Sequence, residues 1–284
     1  MTPRAGRVAT WVHRAGDPTQ LSALLRTMGG DAAALSEGRV FVDGVRTLED
    51  GAVAPGQRIE IREARTEGAE EPVVLLRRAG LIAIDKPAWL PTEPDASGLS
   101  SLRQWGEDRL GVRLHAASRL DVGVSGIVLF AESAAARKHL EAVRASYQRA
   151  YLAITRGILE PATAEWRGPV QGKAAHTLVR VLARQGDACL LRLEPQTGRT
   201  HQLRIHAAAA GLPLIGDRRH GGPRSWTLPD GRVQELSRVA LHAWEIGLAD
   251  PEGGTFQVRS TVPAVLVELW CSLGGAEADF AVAG

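Results

Sequence analysis

Leu21, Leu24, Leu25 and Met28 recur three and four residues apart, which places them on one face of a helix. Gly29-Gly30 closes that helix. The period then shortens: Arg39-Val40-Phe41-Val42 alternates into Asp43-Gly44, the dipeptide of a tight hairpin. Arg58-Ile59-Glu60-Ile61-Arg62 gives a further strand after Pro55-Gly56. Residues 17–63 thus read as a small α/β unit, within a first domain drawn as 1–63. Residues 64–71, charged and small, read as a linker.

From Val73 the chain alternates strands and helices without a repeat. Strands are expected at Val73–Leu76 and Leu81–Ile84 about a Gly80 turn. Asp85-Lys86-Pro87 then opens a Pro- and Gly-rich loop to Gly98. Leu102–Leu110 predicts a helix and Gly126–Ala131 a strand, and Ser133 caps a helix through about Arg144. Tyr151–Thr155 is a strand ending at Gly157, and Thr177–Ala183 with Ala188–Leu193 form a hairpin about Gly186-Asp187. Thr200 is expected to cap a helix through Ala210, with Leu203, Ala207 and Ala210 on one face, closed by Gly211 and Pro213. Leu241–Leu248 and Thr255–Arg259 are late strands. Gly274-Gly275 and the small residues after them predict a flexible tail over 273–284, leaving 72–272 as the second domain. Helices do not regularly separate the strands, so the fold class is α+β on a mixed, largely antiparallel sheet rather than a doubly wound parallel one.

A length of 284 residues accommodates these two domains. No apolar run approaches the roughly 20 residues of a membrane span, and the basic stretch Met1 to Arg14 lacks the apolar core of a signal peptide. Two cysteines, Cys189 and Cys271, make no disulfide framework and fit a reducing cytoplasm. The net charge of +2 announces no polyanion partner, but its distribution is uneven. Glu67, Glu70 and Glu71 cluster in the linker, whereas Arg199, Arg204, Arg218, Arg219 and Arg224 fall close together.

One acid changes the picture. Asp121 follows Arg119-Leu120 and precedes Ser125-Gly126 and the apolar run Ile127-Val128-Leu129-Phe130, so it stands at the mouth of a buried strand. An acid taken out of water needs a cation. Arg119 is adjacent, and the segment Thr197 to His206 carries Arg199 and Arg204. His201 and His206 lie in that segment without the further Cys, His or acidic residues that complete a metal site, so no metal is expected. Gly123-Val124-Ser125-Gly126-Ile127 lacks the final glycine of a nucleophile elbow. A glycosidase would need a second carboxylate partnered with Asp121, and none is evident.

Ser118-Arg119-Leu120-Asp121 followed by Ser125-Gly126 and an apolar strand resembles the signature of RluA-type pseudouridine synthases. Four further blocks in order resemble the same family: Asp85-Lys86-Pro87, Arg149-Ala150-Tyr151-Leu152-Ala153, Thr197 to His206 with Pro213-Leu214-Ile215-Gly216-Asp217, and Leu241-His242-Ala243. Ser118 and Val124 stand where histidine and threonine are frequent. The resemblance implies the pseudouridine synthase fold, with flanking helices about a central cleft. It implies isomerisation of uridines in structured ribosomal or transfer RNA without cofactor; the oligomeric state stays open, with a monomer expected. It assigns Asp121 as the catalytic acid, Arg204 as its ion-pair partner ahead of Arg199, and Tyr151 as a residue stacking on the base. The target base must leave its stack, at a cost of a few kcal/mol, which stacking at roughly 1–3 kcal/mol offsets in large part. Arg119 is suggested to hold the opened strand, Arg199, Arg218 and Arg219 to hold phosphates, and Lys86 and His201 to complete the RNA-facing set. Whether the aspartate attacks the ribose or removes a ribose proton stays open. The first domain, through Leu35-Ser36-Glu37-Gly38-Arg39-Val40, Val42-Asp43-Gly44 and Pro55-Gly56-Gln57-Arg58-Ile59, resembles a degenerate alpha-L RNA-binding module of ribosomal proteins. Asp31 and Glu37 depart from the basic helix such a module presents. The alternative function is a non-catalytic RNA-binding or ribosome-assembly protein that keeps the fold; intact Asp121, Tyr151 and Arg204 argue against it.

Overall fold

The computed structural model describes residues 9–27, 35, 40–43, 45–47, 50–61, 70–94, 100–223, 225–227, 231, 233–236 and 238–283. Met28, Gly29-Gly30, Asp31, Glu37, Gly44, Gly98, Arg224 and nearly all of the expected linker lie outside them. Two compact units are present, Met1–Glu70 with Pro94–Ser101, and Glu71–Glu93 with Leu102–Gly284.

In the first unit, β1 (Ala9–Val12), α1 (Leu21–Thr27), β2 (Val40–Val42), β3 (Val45–Thr47) and β4 (Arg58–Ile61) build an antiparallel sheet of order β1-β4-β2-β3. Leu21, Leu24 and Leu25, the face given by the helical period, pack with Leu35, Val40, Val53, Ile59 and Ile61. Val42 pairs with Val45, the tight hairpin expected at Asp43. The Asp43 carboxylate accepts from the Arg58 amide at 2.8 Å and Gln57 Nε2 at 3.0 Å. β1 lies before the expected start of the unit at residue 17.

The second unit runs β5 (Val73–Arg78), β6 (Leu81–Lys86), α2 (Leu102–Leu110), β7 (His115–Ala116), β8 (Ser125–Ala131), α3 (Ala134–Ala142), β9 (Gln148–Arg156), β10 (Thr163–Val170), β11 (Lys173–Gln185), β12 (Ala188–Pro195), α4 (Gln202–Ala209), β13 (Ser225–Thr227), β14 (Val233–Glu235), β15 (Leu241–Ala249), β16 (Thr255–Arg259) and α5 (Ala264–Ser272). Its large sheet has the order β10-β11-β12-β9-β15-β8-β6-β5, with β16 on β15 and β7 on β8. Among the described residues the β8–β15 pairing is parallel and every other pairing antiparallel. The α+β class with a largely antiparallel sheet is what the pattern predicts. Alternation sends neighbouring residues to opposite faces. Ala153, Leu191 and Leu193 meet Leu203 and Ala207 of α4, whereas Leu152, Ile154 and Leu190 meet Leu266, Leu269 and Trp270 of α5.

β15 changes partners midway. His242 and Ala243 pair with Ser125 and Gly126 of β8, and from Glu245 onward β16 occupies that side. Gly126 makes the join possible. Its φ is +112°, and a Cβ there would sit 2.2 Å from the Ala243 carbonyl oxygen, so a side chain is excluded by strain and by space.

Several expectations need correction. Ser133 caps α3 by accepting from the Ala136 amide at 3.1 Å as expected, but Thr200 does not cap α4. His201 holds that position, in the left-handed region at φ 57° and with no side-chain cap. The turn is tied instead by Gln202, whose Oε1 accepts from Thr197 Oγ1 at 2.6 Å and the Arg199 amide at 3.1 Å. Leu203 and Ala207 are buried, but Ala210 lies beyond the helix and is exposed. The tail expected to fray folds back as a 3-10 helix over Glu277–Ala283. Asp279 accepts from Trp270 Nε1 at 2.7 Å, and Phe280 joins the α5 core.

Candidate active site

Asp121 lies in the loop that feeds β8, and its neighbours are pinned from below. Thr92 Oγ1 accepts from the Leu120 amide at 3.2 Å, and the Trp89 amide donates to the Val122 carbonyl at 2.6 Å. Lys86 is fully buried, and its ammonium donates to the carbonyls of Pro87 at 3.0 Å, Leu90 at 2.9 Å and Val122 at 3.3 Å. This overturns an RNA contact for Lys86: its charge clamps two loops together beneath the site. Within the loop the Val124 amide returns to the Asp121 carbonyl at 3.0 Å.

The cation arrives from α4. Arg204 Nη1 donates to Asp121 Oδ2 at 2.8 Å, while its Nε and Nη2 donate to the two oxygens of Asp217 at 2.7 Å each. The Asp121 side chain keeps 29% exposure, and that of Asp217 keeps none. Asp121 is therefore less buried than its place before a core strand suggests. Burial pushes the Asp217 carboxyl up, but the hydrogen bond and charge of Arg204 outweigh it and hold the group below the ordinary carboxylate value. For Arg204, desolvation works against the charge and the two acids win, raising it. His201 Nε2 stands 3.6 Å from the same Oδ2, too far for a hydrogen bond. Its Nδ1 is 3.1 Å from His220 Nε2, with the rings edge-on at 88°. Burial, first, lowers both imidazoles from 6.5, against the raising effect of Asp121 on His201 and of Asp217 on His220. The pair is neutral at pH 7, so one ring donates and the other accepts.

Tyr151 sits on β9 opposite Ala243 and packs on the α4 side of the sheet. Burial pushes its phenol up; Arg149 opposes this and the charge of Asp121 adds to it, so all three groups share one electrostatic environment. Arg119 is exposed and forms no ion pair among the described residues. The loop cation therefore does not neutralise Asp121; Arg204 does. Arg199, Arg218 and Arg219 are exposed. Arg199 Nε reaches the Ala174 carbonyl at 3.4 Å, and Arg218 and Arg219 belong to the 3-10 turn Arg218–His220, which Asp217 caps. His206 is turned away, with Nδ1 3.0 Å from Thr177 Oγ1.

Sequence reasoning gave no role to Asp217, His220 or Arg149. Asp217 was visible inside a family-like block, but nothing in the one-dimensional pattern says that a residue 13 positions after Arg204 shares its guanidinium. Arg149, two residues before Tyr151 and so on the same strand face, reaches the carbonyls of Pro195 at 3.3 Å and Thr197 at 3.5 Å and props the loop before α4. Under the loop, Arg238 Nη2 donates to Ser125 Oγ at 2.6 Å, and Ser125 Oγ lies 2.8 Å from His242 Nδ1. Burial, then Arg238, lowers His242 to about 3, so this ring is neutral. Among the described residues no three His, Cys or acidic side chains converge as a metal-ligand set, and no helix is long and apolar enough to cross a membrane.

Residues 80–209 match the family model described as RNA pseudouridylate synthase. The ribosomal large subunit pseudouridine synthase D of Haemophilus ducreyi is 32% identical over 258 residues, covering 77% of this chain and 78% of the relative. This chain belongs to the RNA pseudouridine synthase family. The dual-specificity RNA pseudouridine synthase RluA of Haemophilus influenzae is 34% identical over 165 residues, 51% of this chain and 72% of that one. The solved human RNA pseudouridylate synthase domain containing 4 superposes with a TM-score of 0.57 at 21% identity, covering 71% of this chain and 92% of its own. Human RNA pseudouridylate synthase domain containing 1 gives 0.56 at 23%, covering 70% and 87%. These two show the fold. As a member of the family, the protein is an isomerase acting on RNA, and the expected fold and enzyme class both hold.

Proposed function

We propose that the protein converts specific uridines of ribosomal or transfer RNA to pseudouridine, with Asp121 as catalytic residue, Arg204 as its partner and Tyr151 against the base. The ribosomal large subunit pseudouridine synthase D among the relatives supports the ribosomal class by its name, and the dual-specificity RNA pseudouridine synthase RluA supports RNA as the substrate. One observation carries the site assignment. Arg204 takes Asp121 Oδ2 at 2.8 Å, while Oδ1 has no hydrogen-bond partner among the described residues. The guanidinium anchors one oxygen of the carboxylate, and the other oxygen is the one available to a substrate. The reaction breaks the bond from ribose C1′ to uracil N1, turns the base and joins C1′ to C5. The C5 proton is released and N1 regains one, so atoms and electrons balance without a redox partner. Asp121 Oδ1 faces the ribose, and Tyr151 offers a flat ring to the everted base, the stacking offsetting part of the cost of flipping.

Arg119, Arg199, Arg218 and Arg219 are exposed and suit phosphates, and His201 stands at the inner end of that basic set. The first 63 residues act as a small RNA-binding-like module, 64–71 as a linker and the chain from residue 72 as the catalytic domain. The enzyme works as a monomer without a metal in the cytoplasm, where Cys189 and Cys271, both free, stay reduced. The test is chemical labelling of pseudouridine in RNA from cells lacking this gene, after incubation with wild type or Asp121→Asn. Labelling by wild type alone supports the assignment; equal labelling by both rejects it.

A further inference from the structure

Trp89 lies in the loop after β6 that the sequence reading passed over as Pro- and Gly-rich. Two features are costly in an isolated chain. The residue is 48% exposed, the largest apolar side chain so exposed among the described residues of the second unit. Its φ is +70°, a region bulky residues rarely adopt and which, where observed, points to a functional constraint. Neither feature is explained by packing. A Cβ built on Gly123 would lie 3.9 Å from the outer edge of the indole, so the ring rests on the bare backbone of the loop that carries Asp121. About half of the residue stays open to water.

The position is held firmly. The Trp89 amide bonds the Val122 carbonyl, and the buried Lys86 ammonium binds Pro87, Leu90 and Val122 around it. Val122, next to Asp121, is itself 41% exposed. The result is a rigid apolar ledge beside a site otherwise made of charge. A flat apolar partner fits a ledge of this kind, and a nucleobase supplies one.

We propose that Trp89 is a stacking platform for an RNA base next to the uridine that enters the site, a proposal that rests on the RNA reading above. The platform binds the flanking base equally in substrate and transition state. Its loss therefore raises KM and leaves kcat in place.

The experiment uses the full chain as wild type, Trp89→Gly, Trp89→Tyr and Asp121→Asn, with RNA extracted from cells lacking this gene as the probe. Filter binding, steady-state turnover and thermal melting are measured for each. Trp89→Gly is expected to weaken binding and raise KM roughly tenfold with kcat within about twofold. Its melting temperature stays the same or rises, because glycine relieves the positive φ. Trp89→Tyr keeps a ring and stays close to wild type. Unchanged RNA binding and KM in Trp89→Gly would overturn the proposal and leave the ledge to a protein partner. So would a lower melting temperature with kcat and binding falling together, which marks the indole as packing. The catalytic reading fails separately, if Asp121→Asn still turns RNA over; the binding comparison between wild type and Trp89→Gly stands in either case.

Discussion

The loop that carries Asp121 and the turn that carries Asp217 present one guanidinium with two carboxylates in different circumstances. Asp217 is closed off from solvent and gives Arg204 both oxygens. Asp121 gives one oxygen and keeps 29% of its side chain open. The same residue type and the same cation thus form a closed strut on one side and a half-open pair on the other. What separates them is the number of lone pairs left over. A carboxylate whose hydrogen-bonding capacity is fully used inside the protein fixes geometry, and one that keeps an oxygen free can do chemistry.

Exchanging the acids for amides breaks or sharpens this contrast. The largest effect is expected in Asp121→Asn: turnover falls at least about a thousandfold, read by pseudouridine labelling, while chemical denaturation shows a change of less than about 1 kcal/mol, as for a partly exposed group. Asp217→Asn should do the reverse in kind, costing about 3 kcal/mol of stability because a buried ion pair loses its partner. Equal stability losses in the two variants would erase the distinction.

Acid titration of stability tests the same contrast more finely. The folded value of Asp217 lies below its unfolded 3.8, so its contribution is complete above that pH and is lost as pH falls through the folded value. The stability difference between wild type and Asp217→Asn should therefore be flat above about pH 5 and shrink below pH 3.8. A difference that does not vary with pH down to acid unfolding would mean that the carboxylate's charge is not what Arg204 requires. The smallest effects belong to the exposed arginines. Alanine at Arg119, Arg199, Arg218 or Arg219 should leave melting unchanged and lower the slope of log binding constant against log salt by about 0.7–0.9 per phosphate contact removed.

Much of the second unit was legible because its strands alternate or run apolar between turn signals; Leu102–Leu110 and Thr255–Arg259 match their predicted limits. What escaped has physical reasons. β10 mixes polar residues with Gly168 and Pro169, a composition tolerated because it lies at the sheet edge. α5 reads Ala-Val-Leu-Val-Glu-Leu-Trp-Cys-Ser, apolar nearly throughout, so its period does not separate helix from strand. In the site, the Asp121–Arg204 pair was legible from the family-like blocks. Asp217, Trp89 and the clamping role of Lys86 depend on where loops return in space, which no local pattern encodes. Lys86 was misjudged because a lysine in a loop is usually solvated; here three carbonyls replace the water.

The two-residue join between β8 and β15 has a consequence for tolerance. Asp121 enters the site from the β8 half of the sheet, whereas Arg204, Asp217 and Tyr151 all belong to the half beyond β15. The gap between acid and cation is therefore gauged by the seam at Gly126 and Ala243. A single methyl wedged there acts as a shim, parting the halves and widening that gap with Asp121, Arg204 and Tyr151 all still present. An enzyme spoiled in this way would keep its whole chemical inventory and lose its calibration.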